Sequence, residues 1–409
     1  MIKKYLSVSS NTVFIGLISL VFSFLLLKIQ LGFLGVEQRG IMILVQANVA
    51  VLVSLVRFGI GQSVIKAISE QDKSIVCANF LLLLAVQAVL IGLIVLIIFL
   101  YGNLFGGHLQ NLSFFVITSF SISSLLFNAL SNFSFLLHSS KVFTIQTVLF
   151  GVLNIGFLWL AGKCVTIGIN MALLSTAAAQ LCVVIFLAKL LPRFRSRHIN
   201  KQLLIQLVFG GASSIGWSFL KDLSYKIDLL FFGSVLSKYD FGIYSILQNL
   251  CQSVWRITDQ FMASYSKYLL GIKKEYYIKF TNNVILILIF LTFSAIGFAY
   301  FLIVPVFGFI AGIDLSQYRF PALVLLYAVL VFNIWKLVAN FFIQIGHYFS
   351  MYVTLITLIS LFFILKKFVV TLDQAVFSTA LAYSIISIVM IFLYIYVNRQ
   401  NTFRNEYLN

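Results

Sequence analysis

Of 409 residues, 61% are hydrophobic and only 10% are charged, against roughly a quarter charged in an ordinary soluble domain; this excludes a water-soluble globular protein. The net charge of +17 would suit a nucleic-acid binder. The basic residues stand between apolar runs and not on one soluble face, so nucleic acid is excluded as a partner and membrane orientation accounts for them.

Apolar runs of roughly 20 residues, enough to cross about 30 Å of hydrocarbon as a helix, recur along the whole chain. They predict an all-α polytopic membrane protein with helices near 9–34, 40–65, 74–101, 111–137, 142–161 and 165–190. Six more are predicted near 204–235, 240–266, 280–307, 320–346, 349–368 and 374–397. The start, with Lys3 and Lys4, has the charge of a signal peptide. Its apolar run to Leu27 is long and lacks a small-residue cleavage site, so it reads as a retained first helix.

Twelve crossings put both termini on one side. That side carries Lys3, Lys4, Lys66, Lys73, Lys141, Arg193, Arg195, Arg197, Lys201, Lys267, Lys273, Lys274, Lys279, Arg399 and Arg404. The other carries only Arg39, Lys163, Lys238, Arg319, Lys366 and Lys367. Positive charge favours the cytoplasm, so both termini are expected there. The most hydrophilic internal stretch, Pro192 to Gln202, falls between helices six and seven and reads as a cytoplasmic linker. The expected organisation is an N-terminal six-helix lobe over 1–191, a basic linker over 192–203, a C-terminal six-helix lobe over 204–398 and a cytoplasmic tail over 399–409.

The halves echo each other. Lys28-Ile29 matches Lys226-Ile227, Gly40-Ile41 matches Gly242-Ile243, and Arg57 matches Arg256. Helix four carries Ser121, Ser124, Asn128 and Asn132, and helix ten carries Asn333, Lys336, Asn340 and Gln344. Both sets follow three- and four-residue spacing, which puts each on one helix face. Parallel six-helix repeats are a transporter architecture.

The stretch from Lys221 to Lys267 is where charge enters the apolar segments, with Lys221, Asp222, Lys226, Asp228, Arg256 and Asp259. Charges in a bilayer cost several kcal/mol each unless they face a partner, a bundle interior or water, so each marks a candidate site. Asp222 and Lys226 are spaced i,i+4, and Arg256 and Asp259 i,i+3. One reading is that these acids only neutralise the bases so that the helices can insert. Lys28, Arg57 and Lys336, however, have no acid within a turn in sequence. Six bases, these three with Lys221, Lys226 and Arg256, face three acids, Asp222, Asp228 and Asp259. A cavity with that excess would attract an anion, and arginine suits bidentate phosphate contact. Lys28 and Lys226 lie towards helix ends and can alternatively snorkel to the interface.

Cys77, Cys164, Cys182 and Cys251 lack metal-ligand or CxxC spacing, so neither zinc nor a disulfide is expected. His108, His138, His198 and His347 fall near loops or helix ends. With no nucleotide-binding motif in the chain, any energy source is expected to be an ion or substrate gradient.

The runs Asp228-Leu229-Leu230-Phe231-Phe232-Gly233 and Gly242-Ile243-Tyr244-Ser245, with Val56-Arg57-Phe58-Gly59, resemble polysaccharide repeat-unit flippases of the Wzx type. These belong to the multidrug/oligosaccharidyl-lipid/polysaccharide exporter superfamily. The resemblance implies two six-helix lobes around a central cationic cavity, and transfer of an undecaprenyl-pyrophosphate-linked oligosaccharide from cytoplasmic to periplasmic leaflet by alternating access. It also implies proton or sodium coupling with no bound cofactor, a bacterial inner-membrane location, and a place in O-antigen, lipopolysaccharide or other surface polysaccharide biosynthesis. Polysaccharide polymerase and chain-length proteins are the expected protein partners, and membrane lipid the surrounding one.

Carried onto this sequence, Lys28, Arg57, Lys226, Arg256 and Lys336 would bind the pyrophosphate or acidic sugars. Asp222, Asp228 and Asp259 would couple an ion or latch the lobes, while Asn128, Asn132, Asn333 and Asn340 would meet sugar hydroxyls. The alternatives are a lipid II flippase or drug antiporter of the same superfamily, or a membrane polysaccharide polymerase or ligase. A cationic-drug exporter would call for an acidic cavity. An enzyme would need convergent polar groups that the short predicted outer loops, 35–39, 102–110, 236–240 and 311–319, hardly supply.

Overall fold

The computed structural model describes residues 2–57, 60–100, 112–137, 140–164, 168–252, 265, 276–312, 314–345 and 347–406, and all regular structure among them is helical. The order is α1 (Ile2–Val56), α2 (Ile60–Glu70), α3 (Lys73–Leu100), α4 (Phe114–Leu137), α5 (Ser140–Cys164), α6 (Ile169–Leu190) and α7 (Lys201–Ser224). Then come α8 (Ile227–Phe232), α9 (238–252), α10 (Tyr277–Ala311), α11 (Arg319–Gln344), α12 (Tyr348–Leu365) and α13 (Leu372–Glu406). Eight helices among the described residues are long and apolar enough to cross a membrane.

Helix boundaries follow local chemistry. Asn200 caps α7, its side-chain oxygen accepting from the N–H groups of Gln202 and Leu203 at 2.9 and 3.2 Å. At the start of α13 the Gln374 carbonyl accepts from the N–H groups of Val370 and Thr371 at 2.8 and 3.1 Å, while the Thr371 hydroxyl accepts from the Gln374 N–H at 3.4 Å. Such a reciprocal box satisfies amides that the helix leaves open. Gly312 ends α10 in the left-handed region, φ 64°, its N–H donating to the Gly308 carbonyl.

One break falls where the sequence reading put it, and two do not. The division expected near 35–39 is present at Gly35, whose non-helical φ of 70° and ψ of −179° separate two helices that meet at a kink within α1; the 55 residues of α1, about 82 Å at 1.5 Å per residue, are too long for one crossing of about 30 Å. Arg39, expected in that loop, is helical and 0% exposed. The expected helix 40–65 is instead broken at Arg57, between α1 and α2. The expected helix 204–235 stops at Ser224 and resumes at Ile227, so Asp222 and Lys226 do not share an uninterrupted i,i+4 ladder.

The chain forms two compact units, Leu25–Leu230 and Met1–Phe24 with Phe231–Asn409. Division by packing differs from covalent division at the basic linker: α7 follows the linker yet packs on α2 and α3, with the Ser63 hydroxyl of α2 donating to the Leu207 carbonyl at 2.7 Å.

In the first unit α4 packs chiefly on α6, with α5 on α6 and α3 on α4, while chain neighbours α4 and α5 touch little. The α6 face is built from Ala172, Ser175, Thr176, Ala177 and Ala179, and small residues are what let membrane helices approach closely. Polar side chains tie the layer: Ser123 and Ser124 both donate to Gln180 Oε1, at 2.7 and 3.2 Å, and Thr176 donates to Asn154 Oδ1 at 3.2 Å. The other unit repeats the scheme, with α11 chiefly on α13, α12 on α13 and α10 on α11. There Phe332 stacks on both Trp335 and Tyr383, with ring centroids 4.9 and 4.4 Å apart, and Trp335 Nε1 donates to Thr354 at 3.0 Å. The repeat expected from faint sequence echoes is thus present in the packing order of the helices.

Candidate functional site

The intramembrane charges fall into three groups. In the first unit, Arg57 occupies the turn between α1 and α2, half-buried and within electrostatic reach of the Asp222 carboxylate on α7. This proximity links the α1–α2 turn to α7, whereas the sequence spacing had set Asp222 against Lys226. Lys28 on α1 is exposed, Lys226 in the α7–α8 break is half-buried, and Asp228 is fully buried.

In the second unit, α11 carries Asn333 and Lys336 one turn apart, 1% and 6% exposed. Asn340, one turn further, is half-buried. Neither Nδ2 nor Oδ1 of Asn333 has a hydrogen-bond partner among the described residues. An amide closed off from water and unpaired costs about 1–3 kcal/mol, which a ligand or water donating to Oδ1 and accepting from Nδ2 would recover. Beside a buried ammonium, such an amide can serve an anion or a hydroxyl-rich group.

Third, Arg256 and Asp259 lie outside the described residues, as does the Lys221 side chain. The polar face expected on α4 is split: Ser121 and Ser124 are buried, while Asn128 and Asn132 are exposed, Asn128 donating to the Ser124 carbonyl at 2.8 Å. Spacing aligned these residues on one face, but the structure closes off only its Ser121 and Ser124 end.

Arg39 was missed as an interior cation. The signal was available: stepping back from the buried stripe Val56, Val53, Val49, Val45 and Met42 by helical spacing lands on it. Reading the nearby Glu37 and Arg39 as loop residues hid it.

No protein-family profile and no curated protein sequence matches the chain. Solved structures do. A MATE transporter in complex with MaL6 superposes with a TM-score of 0.71 at 14% identity, covering 97% of this chain and 96% of that one. An outward-facing multidrug resistance MATE transporter of the MOP superfamily gives 0.68 at 13%, covering 97% and 96%. A MOP superfamily transporter from Pyrococcus furiosus gives 0.66 at 13%, covering 95% and 94%. The likeness runs over nearly the whole of each chain, and the all-α class of about twelve helices in two lobes is the fold it assigns: this chain has the fold of MATE transporters.

Proposed function

We propose that the protein is a membrane transporter that moves an anionic, undecaprenyl-pyrophosphate-linked oligosaccharide from the cytoplasmic to the periplasmic leaflet by alternating access. The observation that carries the reading is the buried Lys336 beside the unpaired Asn333 amide on α11. It supplies a cation for a phosphate and an amide for a sugar hydroxyl within one helical turn. The first unit carries its own interior cations, Arg57 and Arg39, and the sequence as a whole has more bases than acids in its apolar segments. A carrier of this kind makes and breaks no covalent bond. Asp222 and Asp228 are its candidates for proton or sodium coupling, and polymerase and chain-length proteins would act on the delivered glycan in an inner membrane with both termini cytoplasmic.

A second reading, drug antiport, is favoured by the fold, since several structural neighbours are multidrug resistance transporters. The Pyrococcus furiosus neighbour is named for a binding pocket of reverse polarity that suggests a different function. Sign of charge separates the readings here too, because a cationic drug gains nothing from Lys336.

The test is leaflet transfer of a labelled undecaprenyl-pyrophosphate oligosaccharide in proteoliposomes, with imposed proton or sodium gradients. Wild type should transfer it, and Arg57→Gln and Lys336→Gln, at matched insertion, should lose at least about tenfold in rate, the equivalent of one charge-assisted hydrogen bond. Unchanged transfer in both variants refutes the site. Gradient-driven movement of a cationic dye with no glycan transfer establishes the second reading instead.

A further inference from the structure

We propose that the segment Pro192–Lys201 is a docking surface for anionic phospholipid headgroups, held at headgroup depth by α3. The proposal is independent of the transported substrate.

The segment is pinned. Asn79 Nδ2 donates to the His198 carbonyl at 2.9 Å, and Asn79 Oδ1 accepts from the Asn200 N–H at 2.9 Å. Cys77 Sγ donates to the Pro192 carbonyl at 3.8 Å, and Asn200 in turn caps α7. The strap therefore lies across the first two turns of α3. That helix has 28 residues, about 42 Å at 1.5 Å per residue, and the hydrocarbon is about 30 Å thick. Its first turns fall in the polar headgroup layer, and the strap with them.

What the strap presents outward fits that layer. Arg193, Arg195, Arg197 and Lys201 are exposed, and between them Phe194 is 52% and Ile199 39% exposed. Exposed rings and aliphatic groups interleaved with arginine are unfavourable in water. At an interface the apolar groups enter the acyl boundary while the guanidinium groups meet phosphates. Two helices, α3 and α7, start at this edge without an acid in the first turn, and their first residues are Lys73 and Lys201. Base at a helix N-terminus opposes the macrodipole. The acids facing the strap are few: Asp72 is close enough to act on His198, and Glu70 ends α2. Lys73, Arg193, Arg195, Arg197 and Lys201 outnumber Glu70 and Asp72, and a net positive edge beside exposed apolar groups is complementary to an anionic lipid surface; an acidic soluble partner would account for the charge but not for Phe194.

The experiment is hydrogen exchange of residues 192–201 in the full-length protein, reconstituted in phosphatidylcholine liposomes with or without phosphatidylglycerol. Phosphatidylglycerol should slow exchange of the strap about tenfold, less at high salt. Replacing the three arginines with Gln should abolish that difference, and replacing them with Lys should keep it. Equal exchange in both lipids overturns the proposal, as does a lipid effect that survives in the Gln variant. Protection by a soluble polyglutamate peptide in phosphatidylcholine alone, with no effect of phosphatidylglycerol, would assign the surface to an acidic protein and overturn it as well.

Discussion

Gln180 accepts hydrogen bonds from two serines of the facing helix, Ser123 and Ser124. Interhelical hydrogen bonds in membranes contribute about 0.6 kcal/mol on average and up to about 1.7; here one acceptor serves two donors. Gln180→Leu should lower stability by about 1 kcal/mol, read as a lower midpoint in thermal unfolding in detergent, and Gln180→Glu should not substitute for it, since it adds a charge to a closed layer. A second residue-scale prediction concerns Asp72. Its carboxylate caps α3, and the Ser74 N–H, donating at 2.6 Å, holds it below the usual carboxylate range, with the Ser74 side chain and His198 assisting. A depressed folded value means the cap's contribution is complete above the unfolded value of about 4 and is lost as pH falls through the folded one. Exchange of the first-turn amides of α3, corrected for intrinsic rates, should rise on that acid side in wild type and stay flat in Asp72→Asn, which keeps a capping oxygen without the titration. At this scale the candidate site was partly legible. Lys336 could be placed inside because helical spacing sets its face. That the Asn333 amide finds no partner depends on which helix covers it, and no spacing rule supplies that.

Elements show where apolar sequence is ambiguous. The run from Leu17 to Val56 is continuous in hydropathy, so its division into two helices rested on the short polar stretch 35–39. The structure makes that division at Gly35 alone, as a kink between two helices, in a backbone region that residues with a Cβ adopt only under strain. Gly35→Ala should therefore cost about 1–3 kcal/mol or straighten α1. A midpoint unchanged from wild type, with the kink preserved between paired spin labels on either side, would count against that account. The existence of the later helices was legible from length and apolarity alone. The stop at Ser224 was not, because Tyr225 and Lys226 interrupt a pattern that reads as helical on both sides.

Across the whole molecule, composition was decisive for class, since an all-helical multi-pass chain follows from 61% hydrophobic residues in long runs. The repeat was faint in residues and plain in packing, because what recurs is the order in which helices meet. In each unit a helix passes over its chain neighbour to pack on the next but one: α4 on α6, α11 on α13. Interior polar groups, and so the proposed transport residues, depend on pairings that local sequence does not encode.

That arrangement sets a schedule for biosynthesis. Ser124 reaches the bilayer 56 residues before its acceptor Gln180, roughly 3 to 11 s at 5–20 residues per second. For that interval α4 can pack on α3, but its Ser123 and Ser124 face stands without the acceptor that α6 brings, and α5 is inserted before α6 can dock. Nascent chains of this protein should therefore linger with the insertion machinery until α6 emerges, and truncations ending within α5 should be cleared by proteolysis as unfinished bundles.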